Sequence, residues 1–210
     1  GFRAHRRGHQ AEDGTAERTA AHHGLNPFVD RDRVEQQTRD WLARFVVGLN
    51  LCPFARPVLD SPALRIAVCE ASESPALRRA FLSELDRLQS SPESDIATTL
   101  LVFPSALQDF HEYLDFLAEA QLLLERAGLE GVVQLASFHP DYLFHGEPPE
   151  AASHFSNRSP WPTIHLLRED MLSRVLGYYP DADAIPDRNI ATLEEIGRDE
   201  LFRRWQALRT

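Results

Sequence analysis

Between residues 30 and 207 the hydrophobic positions follow two patterns, one with helical spacing and one of short continuous runs. The helical spacing predicts amphipathic helices over 30–49, 74–89, 106–128, 163–179 and about 189–207. The continuous runs predict buried strands over 64–71, 97–104 and 131–138. Strands joined by helical crossovers are parallel or mixed and are covered by helices. We therefore predict an α/β fold: a small three-layer domain with a mostly parallel or mixed β-α-β-α-β core, an N-terminal helix and two C-terminal helices.

The start of the chain differs from the rest. Residues 1–28 are rich in alanine, arginine, histidine and glycine and hold few large apolar side chains. Such a segment buries too little apolar surface to offset the entropy lost on ordering. We interpret 1–28 as a flexible tail and 29–210 as a single α/β domain.

Composition excludes several classes of function. The net charge of −10 argues against a nucleic-acid partner, and no apolar stretch is long enough to predict a membrane partner. All 22 basic residues are arginine, so the chain has no lysine for pyridoxal phosphate, a Schiff base or a Walker-type phosphate site. Two cysteines, Cys52 and Cys69, are too few for a disulfide framework, and with no secretory signal we expect a cytoplasmic location. Composition leaves the oligomeric state open.

The segment SFHPDY (137–142) places reactive side chains directly after the third predicted strand. His139 precedes a proline, which favours extended backbone. If the extension continues, His139 and Asp141 point to the same face and form an acid–base pair or two metal ligands. The alternative is a polar strand end whose aspartate caps the turn.

The irregular segment 139–162 contains five prolines, and we expect its 143–162 part to roof a pocket at the end of the third strand. Arg158 is suited to a carboxylate or phosphate, and Thr163 opens the next predicted helix, where free N–H groups attract anions. The candidate substrate-binding residues are Tyr142, Asn157, Arg158, Ser159 and Thr163. The alternative is that Arg158 and Ser159 only fix the loop by bonding backbone carbonyls.

Two further side chains complete the candidate site. His165 and Glu169 are spaced to share one face of the predicted helix, as metal ligands or as a base and its orienting carboxylate. Cys52 follows the end of the first helix, where it could be a ligand, a nucleophile or a small buried side chain. The candidate catalytic residues, and equally the candidate ligands for a divalent zinc or iron ion, are His139, Asp141, His165 and Cys52.

Four stretches together resemble the bacterial and plastid proteins of the domain of unknown function 1415 family. They are GLNLCPFA (48–55), SFHPDY (137–142), NRSPWPTIHLLRE (157–169) and PDADAIPDRNIATL (180–193). The resemblance runs from about residue 30 to 207. It implies no activity. It does imply that eight of the candidate residues lie within family motifs: Cys52, His139, Asp141, Tyr142, Asn157, Arg158, Ser159 and His165.

The sequence thus favours a small-molecule enzyme that acts on an anionic substrate, a carboxylate or phosphate, in a His/Asp/Arg pocket with or without a metal. Two other functions remain open: a metal or cofactor carrier without chemistry of its own, and an anion-sensing or interaction module.

Overall fold

A computed structural model describes residues 29–178 and 181–210, so the predicted tail, 1–28, lies outside the described residues. The helices are α1 (Arg31–Trp41), α2 (Ala55–Leu59), α3 (Ser74–Ser90), α4 (Phe110–Arg126), α5 (Glu169–Leu176), α6 (Ile185–Ile196) and α7 (Arg198–Gln206). The strands are β1 (Leu64–Val68), β2 (Thr98–Val102), β3 (Val133–Phe138) and β4 (Thr163–Arg168). None of the described helices is long and apolar enough to cross a membrane.

The four strands form one mixed sheet in the order β1-β2-β4-β3. Strands β1 and β2 are parallel, and β4 runs antiparallel to both of its neighbours, β2 and β3. The carboxyl ends of β1, β2 and β3 therefore meet at one edge of the sheet, where β4 begins.

Helices cover both faces of the sheet. Helices α3 and α4 pack on one face with the alternate strand residues Leu101, Ile164 and Leu166. The other face is covered by α1, α2, α5, α6 and α7, whose apolar side chains form a second core with Leu64 and Leu100. The predicted three-layer α/β domain with a mixed sheet is confirmed.

The first helix ends through a change of helical type. Asp30 caps α1, since its carboxylate accepts the N–H of Arg33 at 3.1 Å. After Trp41 the chain continues as a π-helical turn, Leu42–Val47, which widens the helix locally. Asn50 then adopts a left-handed conformation with φ of +54°, which stops the helix and turns the chain toward Cys52.

The prediction of a helix over 163–179 is wrong for its first six residues, which form β4. The side chains of this segment alternate, with Ile164 and Leu166 buried against α3 and α4 and His165 on the opposite face. Helix α5 follows β4 directly, and the apolar residues of the two elements together have helical spacing, which is why the sequence predicted a single helix. His165 and Glu169 therefore do not share a helix face. The described residues of the C-terminal region form three α-helices, α5, α6 and α7, rather than two.

Arg168 links the end of β4 to the segment after α3. Its guanidinium Nε lies 3.1 Å from the carbonyl oxygen of Ile96, and one terminal nitrogen lies 2.5 Å and 2.7 Å from those of Leu88 and Ser91. One planar group thus serves three carbonyls, which a lysine ammonium at the same place would not match.

We expect Arg168→Lys to lower the free energy of unfolding by about 1–3 kcal/mol, because charged hydrogen bonds to carbonyls are lost. Urea unfolding measures this change. The control is Arg174→Lys, since Arg174 pairs with Glu93 in an exposed position and its replacement should cost under about 1 kcal/mol. Equal losses in the two variants would contradict the proposed role of Arg168.

Candidate functional site

A cavity of about 750 Å³ lies between the sheet and the helices of the α2–α6 side. The sheet supplies its floor through side chains that point away from α3 and α4: Thr98, Leu100, Gln134, Ala136, His165 and Leu167. The walls come from the π-helical turn, from α2, α5 and α6, and from the loop between β3 and β4. The pocket therefore lies on one face of the sheet rather than beyond the edge where β3 ends.

The lining of the cavity is mainly apolar. Trp41, Phe138 and Phe144 contribute aromatic rings, and leucines from α2 and α5 contribute aliphatic surface. Among the described residues that line it, Glu147 is the only acidic side chain and none is arginine. Cavities of this size and character bind small organic molecules, with a few polar groups that set their orientation.

His165 is the central polar group of the floor. Its Nε2 lies 2.6 Å from the hydroxyl oxygen of Thr98, and that hydroxyl donates its own hydrogen to the carbonyl of Leu166 at 2.8 Å. Thr98 must therefore accept the Nε2–H of His165, which leaves Nδ1 unprotonated. Nδ1 has no hydrogen-bond partner among the described residues. Burial lowers the pKa of His165 to about 4, so the imidazole is neutral at pH 7 and presents a lone pair.

Cys52 lines the same cavity from the loop that precedes α2. The side-chain amide of Asn189 holds this loop by donating to the carbonyl of Leu51 at 2.8 Å. Burial raises the pKa of the Cys52 thiol, and the backbone N–H groups of Phe54 and Ala55 only partly oppose that effect. The thiol is therefore protonated and is not an activated nucleophile.

His139 lies on the other side of the sheet, fully buried against Phe110 and Tyr113 of α4. Its Nδ1 accepts the backbone N–H of Asp141 at 3.0 Å, and its Nε2 donates to the carbonyl of Leu107 at 3.0 Å. Burial is the main reason that its pKa is lowered. Both ring nitrogens are thus used to hold backbone.

The expected extension through Asp141 does not occur. The chain turns at once, because the N–H of Tyr142 bonds to the carbonyl of His139 at 3.2 Å. The backbone of Asp141, rather than its exposed carboxylate, then contacts the imidazole. The structure does not form the side-by-side acid–base pair.

The candidate substrate-binding residues bond mostly to the loop itself. Arg158 donates to the carbonyl of Tyr142 at 3.3 Å, and its guanidinium lies 4.8 Å from the ring centre of Phe155. The other contacts are Ser159 to the Trp161 carbonyl at 2.6 Å, Thr163 to the same carbonyl at 2.9 Å, Asn157 to the Ser137 carbonyl at 3.0 Å, and the hydroxyls of Tyr142 and Ser137 at 3.2 Å. Of this set only Asn157 lines the cavity. No helix begins at Thr163, so the predicted anion site at a helix N-terminus is wrong.

The four predicted metal ligands do not come together. Cys52 and His165 line the cavity, whereas His139 and Asp141 do not. Within 29–178 and 181–210, no group of three or more histidine, cysteine, aspartate or glutamate side chains is placed to hold a metal ion. The residues present therefore do not fit the expected zinc or iron site.

Thr98 and Ala136 are functional candidates that the sequence reasoning missed. Thr98 fixes the tautomer of His165, and Ala136 leaves open space beside it in the register of β3 with β4. A threonine within the apolar run of β2 was the available signal for Thr98. Nothing in the sequence distinguishes Ala136 from other small core residues.

Neutral His165 gives stability a specific pH dependence. Its pKa is about 4 in the folded chain and 6.5 in its ordinary state, so only the unfolded chain takes up a proton between these values. The free energy of unfolding is therefore unaffected by His165 above about pH 6.5, and it decreases as the pH falls toward about 4 because protonation favours the unfolded chain. We expect His165→Phe to reduce the stability loss between pH 7 and 5 by about 1–2 kcal/mol.

Urea unfolding at pH 7, 6 and 5 measures this difference. The wild type and His165→Phe both contain His139, so its contribution to the pH dependence is common to the two proteins. His111→Phe, at an exposed position of α4, is the control and should keep the wild-type pH dependence. An unchanged pH dependence in His165→Phe would show that the folded protein protonates His165 as readily as the unfolded chain.

Comparison with known proteins identifies the family. No curated protein and no solved structure matches the chain significantly. One family model matches residues 33–203, which include the cavity, its loop wall and the side chains of Cys52 and His165. This match confirms the resemblance seen in the four sequence motifs, and the chain belongs to the family described as Protein of unknown function (DUF1415).

Proposed function

We propose that this protein binds a mainly apolar small molecule in the cavity, with one N–H or O–H group of the ligand donating to Nδ1 of His165. The observation that carries the proposal is the fixed tautomer of His165, whose unprotonated Nδ1 belongs to a neutral side chain on the floor of a mainly apolar cavity of about 750 Å³. That volume is in the range of pockets that enclose drug-sized molecules.

The Thr98–His165 pair supports selectivity for a donor group. Thr98 fixes the imidazole with its lone pair on Nδ1, so a ligand need not select the tautomer. A hydrogen bond made in apolar surroundings is electrostatically stronger than one in water, and a ligand without the donor leaves Nδ1 dry and unpaired. The cavity walls then supply affinity through apolar burial, and Nδ1 supplies orientation.

The protonation states favour binding over catalysis. A general base works best with a pKa near the operating pH, and the pKa of His165 is about 4. The raised pKa of Cys52 likewise opposes a thiolate nucleophile. The enzyme acting on an anionic substrate, the carrier and the anion sensor stay predictions from the sequence. These contacts do not favour them, because Arg158 bonds within the loop and lies outside the lining.

The neutral fluorescent dye N-phenylnaphthylamine, which carries one N–H, tests occupancy of the cavity. We expect the wild type to bind it with increased fluorescence. Ala136→Phe places a ring next to His165 and should weaken binding at least about tenfold, since the lost contact area is worth more than 1.4 kcal/mol.

Val132→Phe is the matched control, because it adds the same side chain at an exposed position just before β3 and outside the cavity lining. Unfolding curves for both variants confirm that each folds. Absence of dye binding by the wild type, or equal binding by Ala136→Phe, would overturn the proposal.

A pair of dyes isolates the hydrogen bond to His165. His165→Phe keeps a ring of similar shape and removes Nδ1, so the N–H dye should lose about three- to tenfold in affinity, the value of one ordinary hydrogen bond. The N-methylated dye, which has no donor, should lose no affinity in His165→Phe and should bind the variant at least as well as the wild type, because the variant lacks the acceptor that this dye leaves unpaired. Equal losses for the two dyes would show that His165 acts through its shape alone.

A further inference from the structure

Charge is distributed unevenly around the cavity. His145 and Glu147 are exposed and line it from the loop between β3 and β4, so they lie at its opening to solvent. The deeper lining consists of apolar groups and neutral polar groups such as Thr98, His165 and Asn157. The carboxylate of Glu147 is thus the only acidic group that a bound molecule would meet there among the described residues.

This distribution disfavours an anionic ligand. A carboxylate or phosphate moved into the cavity would lose hydration, and no arginine among the described lining residues replaces it. The chain contains no lysine and carries a net charge of −10, which adds a further unfavourable potential. The same features favour a positive group that stays near the opening, where water and the carboxylate of Glu147 both solvate it.

Resting on the proposed function, we infer that the ligand is a cationic amphiphile: a mainly apolar body inside the cavity that carries the donor to Nδ1 of His165, and one protonated amine at the opening, paired with Glu147. The body contacts the aromatic and aliphatic walls. The amine needs no burial, so it keeps most of its hydration and adds attraction to the carboxylate. The site then discriminates by the sign of the ligand's charge and not only by its size.

The test is displacement of N-phenylnaphthylamine by octylamine, octanol and octanoate, with the two charged compounds below their critical micelle concentrations and octanol below its solubility limit. Measurements at pH 8 keep histidine charge out of the comparison. We expect octylamine to displace the dye at a concentration at least about tenfold below that of octanoate, a difference of about 1.4 kcal/mol. Octanol, which is uncharged, should lie between them.

Glu147→Gln locates the preference. It should reduce the ratio of octylamine affinity to octanoate affinity about two- to fivefold, the usual size of an exposed charge pair. Glu150→Gln is the matched control, because it removes the same charge from the same loop at an exposed position outside the lining. The control should leave the ratio unchanged.

The outcomes separate the two proposals. Dye binding with octanoate equal to or better than octylamine would overturn the cationic ligand and leave the apolar cavity site standing. A ratio that Glu147→Gln does not change, or that Glu150→Gln changes equally, would assign the preference to the overall negative charge and overturn the role of Glu147. Failure of the wild type to bind the dye at all would overturn both proposals.

Discussion

The structure depends on the position of β4 between β2 and β3. A buried central strand must pair its backbone N–H and C=O groups on both sides, and β4 does so with antiparallel partners. Since β4 begins where β3 ends, the loop between them must leave and re-enter the sheet at the same edge. That requirement places a long polar segment next to the sheet and fixes which residues of β4 face each layer.

The polar groups of the candidate site follow from this pairing. His165 lies between Leu100 and Ala136 in the register, with Thr98 diagonal to it. A one-residue shift of β4 would turn His165 toward α3 and α4 and separate it from Thr98. The register therefore creates a neutral histidine with a defined lone pair, and the helices of the other layer leave space above it.

The loop explains why reactive residue types occur so densely in the family motifs. A long irregular segment packed against a sheet has many backbone groups without regular partners, and buried groups must still be paired. His139 and His154 each use both ring nitrogens on backbone atoms, and Arg158 and Ser159 bond carbonyls. These residues fix the backbone of the loop that forms one wall of the cavity. The lining of the cavity itself is built mainly from apolar side chains.

Local sequence patterns were sufficient to predict β1, β2 and β3, helices α3 and α4, and the three-layer α/β class. They were sufficient because the buried face of each segment imposes its own hydrophobic periodicity. They were also sufficient to mark Cys52, Asn157 and His165, which line the cavity. They failed for β4, whose short alternating run continues directly into α5. They failed for His139 and Asp141, whose separation depends on a turn that local spacing does not reveal. Thr98, Ala136 and His165 come from three separate strands, so only the pairing of those strands could bring them together beneath one cavity.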